Sequence, residues 1–486
     1  MTNLNRCFVR CALAIALVLP VTAQQAPQQT SLSGVTRLNK APVSTEVLQV
    51  KFPRPVESKL KNGLRVVVLE DHRTPTFAVT LVMQAASLSE PPEFAGTVAG
   101  ATASMLRLGT KTRTAREIAD ALAELGGSLG AGGGPGSRTT SVNVSGLTDN
   151  MDALLDLFAD MLFNPSFPQT ELDNLKQRQL SSLQASRAQP AFLASERMYA
   201  LLYPNDVRKV TAPTEESLKK LIRQHLVDYY DKYYKPEGGL IGVAGDVSNK
   251  EIVAKLEKML GGWKGAPPAP PKFPLEAPIQ EKKIVLVNRP NSVQTYLMVA
   301  NRAIGRKDPD YVACMLMNQV LGSGPASRLF RNIREEKGYT YGITSGFSAS
   351  WYFNHFTAST SVRTEVTGAA LEEILKEFRD VRDRPVPADE LDGARRAMVG
   401  GFALSLESSS SLLSRAMQLK EYGFPVDYWD KYPAAVMKLS AEQVRQAARK
   451  YVPVDDIQIV AVGDADKIRD QLKKFGPVEE VSAEGK

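Results

Sequence analysis

Arg334 and Tyr341 stand seven positions apart in GSGPASRLFRNIREEKGYTYGITSG, the stretch from Gly322 to Gly346, and they are the residues of this chain best placed to do chemistry. Gly322, Gly324 and Pro325 break the pattern before them. Ser327 is placed to cap a short helix carrying Leu329, Phe330 and Ile333 on one face, and Gly338 to end it. Beyond it Tyr339, Tyr341 and Ile343 alternate with Thr340, Gly342 and Thr344, a period of two that predicts a strand. Arg334 then falls in the last helical turn and Tyr341 at the start of the strand. A corner between them can bring a guanidinium beside a phenol, a donor cluster suited to a carbonyl oxygen or a carboxylate. The same residues also fit a plainer account, in which a helix C-terminal Arg complements the macrodipole next to a packed Tyr.

Other reactive side chains are sparse. His72, His225 and His355 are the only histidines, and no two share a ligand-like spacing. His72 lies in the turn EDHRT and reads as solvated, His225 in the helical stretch LIRQHLVDYY, and His355 in the aromatic strand region WYFNHF; the last two read as surface or packing residues. The serine-rich LSLESSSSLLSRA, from Leu404, has amphipathic helical spacing, no Gly-x-Ser-x-Gly elbow and no nearby His, so a helix with solvated serines is expected. There is no phosphate-binding loop, and the lone Gly-x-Gly stretches lack a dinucleotide-binding setting. No cofactor is indicated in this chain.

The elements that must position Arg334 and Tyr341 come in two copies. RVVVLEDHRTPTFAVTLVM, from Arg65, corresponds to KIVLVNRPNSVQTYLMVA, from Lys283, as apolar strand, turn and second strand. Glu171, Leu172 and Asp173 are answered by Glu390, Leu391 and Asp392, and LIGVAGD, ending at Asp246, by IQIVAVGD, ending at Asp464. Matches kept in order at nearly constant spacing mark an internal repeat. Each copy reads as paired strands, a helix, more strands, helices of 3.6 periodicity such as MDALLDLFADMLF, and a final strand, which predicts an α+β class. The expected organisation is domain 49–262, a Pro-rich linker 263–282 of extended, semi-rigid character, domain 283–478, and a tail 479–486.

The composition agrees. With 486 residues, 43% of them hydrophobic and 23% charged, the chain can bury two large cores. Arg6 and Arg10 precede the apolar run from Ala12 to Leu19, and small residues lead to Ala23, so 1–23 reads as a cleavable export signal and 24–48 as a polar tail. The run is too short to span a bilayer, and no later candidate is long enough. Past the signal only Cys314 remains, in the apolar helical pattern YVACMLMNQVL, so a buried inert thiol and no disulfide framework are expected. The formal charge of +7 is scattered among acids instead of clustered with aromatics, which argues against nucleic-acid binding.

The segment SRLFRNIREEKGYTYGI resembles the signature of the second half of pitrilysin-family metallopeptidases, the insulinase-like and mitochondrial-processing-peptidase-like proteins. The resemblance covers nearly the whole chain beyond the leader, about Phe52 to Phe475. It implies two homologous domains, each a mixed sheet with helices packed on it. It also implies that Arg334 and Tyr341 hold the substrate's scissile region against a zinc site carried on another domain. Active members carry H-x-x-E-H, two histidines on one helix face that hold the metal and a glutamate that activates water. In FAGTVAGATASMLRLGT, from Phe94, the three motif positions are Gly100, Ala103 and Ser104, none able to act as the family's residues do. The family's further metal-binding glutamate corresponds to Gln177, with Gln184 replacing another carboxylate, and a neutral amide is a poor carboxylate substitute. SLGAGGGPGSRTT, from Ser128, stands where the family has a substrate-holding edge strand; its glycines and Pro135 weaken a strand, leaving a flexible hairpin loop or a mobile flap as alternatives.

The resemblance therefore implies a non-catalytic, substrate-binding subunit, exported to the periplasm or secreted and inactive in isolation, with no catalytic residue or metal of its own. It would pair with a homologous H-x-x-E-H subunit bearing the zinc, and act with it on peptides. A non-enzymatic peptide-binding or scaffold protein of the same fold is the alternative.

Overall fold

The apolar runs RVVVLE and LIGVAG lie side by side as parallel strands, and IVLVN and QIVAVG repeat the arrangement in the second copy. The computed structural model describes residues 50–273, 276–452 and 454–483, all within the unit Val47–Lys486. The expected leader 1–23 and tail 24–48 lie outside the described residues.

The first copy runs β1 (Val56–Lys59), β2 (Arg65–Glu70), β3 (Thr76–Met83), α1 (Val98–Met105), α2 (Ala115–Glu124), β4 (Ser128–Gly132), β5 (Thr140–Leu147), α3 (Met151–Phe163), α4 (Gln169–Arg187), α5 (Pro190–Leu202), α6 (Glu215–Lys220), α7 (Arg223–Tyr233), β6 (Leu240–Gly245) and α8 (Asn249–Leu260). The second runs β7 (Ile284–Asn288), β8 (Gln294–Arg302), α9 (Tyr311–Leu321), a π-helical segment Phe330–Glu336, β9 (Ile343–Ala349), β10 (Asn354–Arg363), α10 (Thr367–Asp383), α11 (Ala388–Leu404), α12 (Ser409–Tyr422), α13 (Tyr428–Lys438), α14 (Ala441–Tyr451), β11 (Gln458–Gly463), α15 (Ala465–Lys473) and β12 (Val478–Ser482). Each copy forms a six-stranded mixed sheet, ordered β1-β2-β6-β3-β5-β4 in the first and β12-β7-β11-β8-β10-β9 in the second. The fold is thus the two-domain α+β arrangement expected. The copies differ at one edge: β1 closes the first sheet antiparallel to β2, whereas β12 closes the second parallel to β7. Residues 479–482, expected in a tail, therefore belong to a strand, because Val478 and Val481 are held against the sheet and its helices.

Strand alternation sends successive side chains to opposite faces. Val66 and Val68 of β2 and Ile241 and Val243 of β6 enter a core formed with the first copy's own helices. Val67, Leu69, Leu240 and Ala244 enter a different core, made with Leu412, Leu413, Ala416 and Met417 of α12 from the second copy. The converse holds across the molecule. Ile284, Leu286, Ile459 and Ala461 face their own helices, while Val285, Val287, Val460 and Val462 pack on Leu193, Ala194, Met198 and Leu202 of α5 from the first copy. Each sheet thus has one face covered by its own helices and the other by a helix of its partner copy. The approach of α12 is close: a methyl group placed on Gly242 of β6 would lie 2.7 Å from Met417 Sδ.

Polar contacts reinforce this exchange. Asp71, at the end of β2, receives Arg73 Nε and Nη2 at 2.7 Å each and the Ser409 hydroxyl at 2.6 Å, and Arg73 also donates to the Glu407 carbonyl at 3.1 Å. The Arg73 guanidinium holds the Asp71 carboxyl well below the usual carboxylate range. Ser408 accepts from Ser411 N and caps α12. The serine run is therefore a break between α11 and α12, not one helix, and Ser409 is spent on the interface.

The described linker residues form neither helix nor strand, and the segment is docked. Arg208, 2% exposed, pairs with Asp206 and with Glu276 of the linker, donates to the Tyr352 carbonyl at 3.1 Å, and lies between the rings of Tyr203 and Phe273. Trp263 packs edge-on to Phe163, 5.7 Å between centroids, so it belongs to the first copy's core. Cys314 is buried in α9, and burial pushes its thiol pKa up, as befits an inert packing residue.

His355 is 5% exposed on β10, on the face covered by α5, with Nδ1 3.2 Å from the Tyr203 hydroxyl and its ring edge-on to Tyr199. Burial lowers its pKa to about 4.

Two outcomes follow from this packing. Leu413→Ala should cost about 3 kcal/mol, the usual loss for a buried leucine, and urea unfolding should remain a single transition, because neither sheet keeps its second cover alone. Two separated transitions would show that the copies are stable independently. For His355 the unfolded state, with a pKa near 6.5, binds the proton first as pH falls. The contribution of the neutral imidazole is therefore complete above about pH 6.5 and lost progressively towards about pH 4. The difference in unfolding free energy between wild type and His355→Gln should shrink by roughly 3 kcal/mol over that window; a pH-independent difference would contradict it.

Candidate functional site

The Arg334 region folds differently from its sequence periodicity. The helix is π-type over Phe330–Glu336, and the Ser327 hydroxyl donates to the Gly324 carbonyl at 2.7 Å instead of capping it. Gly338, at φ +61°, ends the helix in the left-handed conformation that glycine adopts without strain. The strand begins only at Ile343. Residues 339–342 form an irregular corner in which the Thr340 hydroxyl receives Gly342 N and in turn donates to Gly342 O, so side-chain bonding replaces the ladder there.

This corner brings Arg334 and Tyr341 together, but through the backbone. Arg334 Nε donates to the Tyr341 carbonyl at 3.2 Å, and its guanidinium lies 5.0 Å from the centre of the Phe330 ring. The Tyr341 side chain is 93% exposed. The packed tyrosine of the plainer account is therefore excluded: the phenol projects into solvent, and the guanidinium that holds its backbone carbonyl has four N–H donors still unused by that bond.

Gly100, Ala103 and Ser104, expected at the motif positions, lie on α1, whose first turn is tied down by a residue that sequence reasoning missed. Glu90, 5% exposed, accepts from Gly96 N at 2.6 Å and Ala99 N at 2.5 Å. Burial raises its pKa to about 7, opposed by the backbone amides it receives. An acid shortly ahead of an apolar helix start is the signal that could have found it. Gly100 faces the glycine-rich hairpin so closely that a methyl group on it would lie 3.1 Å from the Gly133 carbonyl oxygen. Ala103 is 1% exposed, and Ser104 is half-buried. Gln177 and Gln184 lie on α4 with exposed side chains, while Leu172 and Leu175 of that helix enter the core shared with α1. These residues do not fit a zinc ion. Gly100 and Ala103 have no donor atom, Gln177 offers only a neutral amide, and a bulky side chain at 100 would meet the hairpin. Among the described residues no group of three or more His, Cys, Asp or Glu is arranged to hold a metal.

The hairpin itself corrects an expectation. The edge strand forms, as β4 over Ser128–Gly132, paired with β5; Pro135 and the later glycines fall in the connection beyond it. That connection lies against the second copy. A methyl group on Gly136, at φ +76°, would touch the Phe353 ring, and Arg138 stacks on Trp351 at 4.5 Å.

No hydrogen bond, ion pair or ring contact among the described residues joins Arg334 or Tyr341 to Gly100, Ala103, Ser104 or Gln177. His72 is not simply solvated, since Nδ1 lies 2.5 Å from Asp246 Oδ1 and that carboxylate raises its pKa. His225 packs against Phe94, with centroids 4.4 Å apart.

Beyond α12 and α5, the shared face of each sheet carries small polar residues. Ser141, Asn143 and Ser145 of β5 point away from the core that takes Val142 and Val144, and Thr357, Ser359 and Ser361 of β10 point away from Phe356, Ala358 and Val362. No helix among the described residues is long and apolar enough to cross a membrane.

Comparison with known proteins gives these features a family. Residues 65–212 match the insulinase family (peptidase family M16), and residues 220–398 match the peptidase M16 inactive domain, together more than half of the chain. The chain is 25% identical over 360 residues to the uncharacterized zinc protease YmxG of Bacillus subtilis, covering 73% of this chain and 85% of that protein. It is 23% identical over 414 residues to an uncharacterized zinc protease of Rickettsia bellii, covering 82% and 93%. A solved structure described as the peptidase M16 inactive domain from Pseudomonas fluorescens matches with a TM-score of 0.78 and 27% identity, over 84% of this chain and 98% of that one. A protease from Helicobacter pylori shares the fold at a TM-score of 0.77, with 18% identity over 84% and 99%. With its paired sheet-and-helix copies and these two matches, the chain belongs to the insulinase, or M16, peptidase family.

Proposed function

We propose that this chain is the non-catalytic, substrate-binding subunit of a heterodimeric zinc metallopeptidase acting on peptides, and that it supplies Arg334 and Tyr341 to the zinc site of a homologous H-x-x-E-H subunit. The observation that carries this reading is the Tyr341 side chain, 93% exposed beside the exposed Arg334. A phenol left in water contributes no burial energy to its own fold, whereas a phenol and a guanidinium presented together are suited to a peptide carbonyl. Hydrolysis places negative charge on that oxygen, so donors aimed at it stabilise the transition state more than the ground state.

The metal belongs to the partner in this reading, and the chain is exported through its leader 1–23 to act in the periplasm or outside the cell. The small polar residues of β5 and β10 suit a wall along which an extended peptide meets hydroxyls and amides instead of an apolar surface. The free edge of β4 offers backbone groups to the same peptide.

Two measurements test the proposal. Chelator-free, tag-free protein should contain no stoichiometric zinc; zinc displaced by Ala103→Glu or Ser104→Ala would overturn the assignment of the motif positions. With the purified partner, Tyr341→Phe should lower kcat roughly a hundredfold, the usual effect of losing one such donor, while the affinity between subunits stays unchanged. Full activity in that variant would leave the scaffold reading in its place.

A further inference from the structure

Where α12 of the second copy lies on the first sheet, the contact is not sealed. A cavity of about 360 Å³ remains between them, floored by Val82, Leu240, Leu413 and Met417. The volume falls in the range of small-ligand sites. Its polar groups, unlike those elsewhere along this interface, are poorly matched to one another.

Arg65, at the start of β2 and on the face that meets α12, lines the cavity, and its side chain forms no hydrogen bond or ion pair with any described residue. Arg138 reaches the cavity from the hairpin before β5 and lies 3.7 Å from Glu421 Oε1, beyond hydrogen-bonding distance. The Glu421 side chain is 40% exposed; partial burial raises its pKa, and the nearby Arg138 guanidinium opposes that rise. Gln84 completes the set. Its Nε2 is directed to the Gly238 carbonyl at 3.3 Å, while its Oε1 is buried with no donor. A buried acceptor without a donor is costly, and it leaves the Glu421 carboxylate as the acceptor that a ligand N–H can reach from the cavity.

These groups define one ligand chemistry: an anion for the free guanidinium of Arg65, N–H donors for the Glu421 carboxylate, and an aliphatic group for the floor. We propose that the cavity binds a short peptide with both ends free and an aliphatic side chain, its carboxylate on Arg65 and its ammonium on the Glu421 side. Peptides with free ends are the products of any peptidase, and one held here is in contact with both copies at once. The site uses neither Arg334 nor Tyr341, so it stands independently of the role proposed for them.

The probe is the dipeptide alanyl-leucine, titrated by calorimetry into the full chain alongside its C-terminal amide and its N-acetyl form. One saturable site is expected, with affinity lowered roughly tenfold or more for each blocked form and for Arg65→Ala and Glu421→Gln, since each change removes a charge-assisted bond. Tyr341→Phe should bind the dipeptide as wild type does, so loss of cleavage in that variant and loss of dipeptide binding report on different sites. Arg65 is exposed, and its replacement leaves the core intact; unchanged melting of Arg65→Ala without dipeptide confirms that a lost signal is a lost site. Equal binding of the amide, undiminished affinity in Arg65→Ala, or no saturation at millimolar dipeptide would each overturn the proposal.

Discussion

A sheet has two faces, and in this protein each copy's helices cover one of them. The second face of each sheet is covered by α5 or α12 from the other copy, and most of the remaining architecture serves that exchange. It explains why β2, β6, β7 and β11 read as unbroken apolar runs, since both alternating sets of side chains are buried. It explains the ion-pair network on Asp71, which fixes the start of α12 to the end of β2, and the close passage of Met417 over Gly242. The Pro-rich connection, held by Arg208 and Glu276, is then a docked segment more than a spacer. Relative motion of the copies is limited by apolar burial before linker stiffness matters.

The repeat, the succession of elements along each copy and the α+β class were legible because they rest on local pattern: period-two runs, 3.6-residue helices, and matched segments in constant order. Residues whose surroundings come from the distant copy were not legible. His355 reads as an aromatic-strand histidine, and only α5 makes it a buried one. The serines from Ser405 onward keep helical spacing, yet Ser408 caps and Ser409 binds Asp71, because the chain must turn there to carry α12 across. Tyr341 keeps strand alternation with Ile343, but the Thr340 hydroxyl takes over the local backbone bonding and the ladder starts later. Position 479 reads as tail because a short strand of mixed polarity gives little periodic signal.

At the candidate site the residue types were legible and their surroundings were not. That Gly100, Ala103 and Ser104 cannot ligate zinc follows from their side chains alone. That the glycine-rich hairpin closes to within 3.1 Å of a methyl group at position 100 does not. The missing side chain and the approaching backbone are two sides of one packing solution, with Glu90 securing the helix start. The same pressure towards small residues makes β4 thin, although it still pairs as a strand, since glycine weakens a ladder without removing its donors.

Two copies that each lend a helix to the other have the geometry of an isologous two-fold dimer, joined end to end in one polypeptide. In a dimer of identical chains, a substitution at one site must appear at its symmetry mate, so a glycine tolerated in one copy is imposed on both. Covalent fusion lifts that restriction while keeping the shared interface. One copy can then keep Arg334 and Tyr341 at an exposed corner while the other fills α1 with small residues, and neither change needs to be acceptable in the opposite position. Loss of symmetry, more than loss of ligands, is what such a fused pair makes possible.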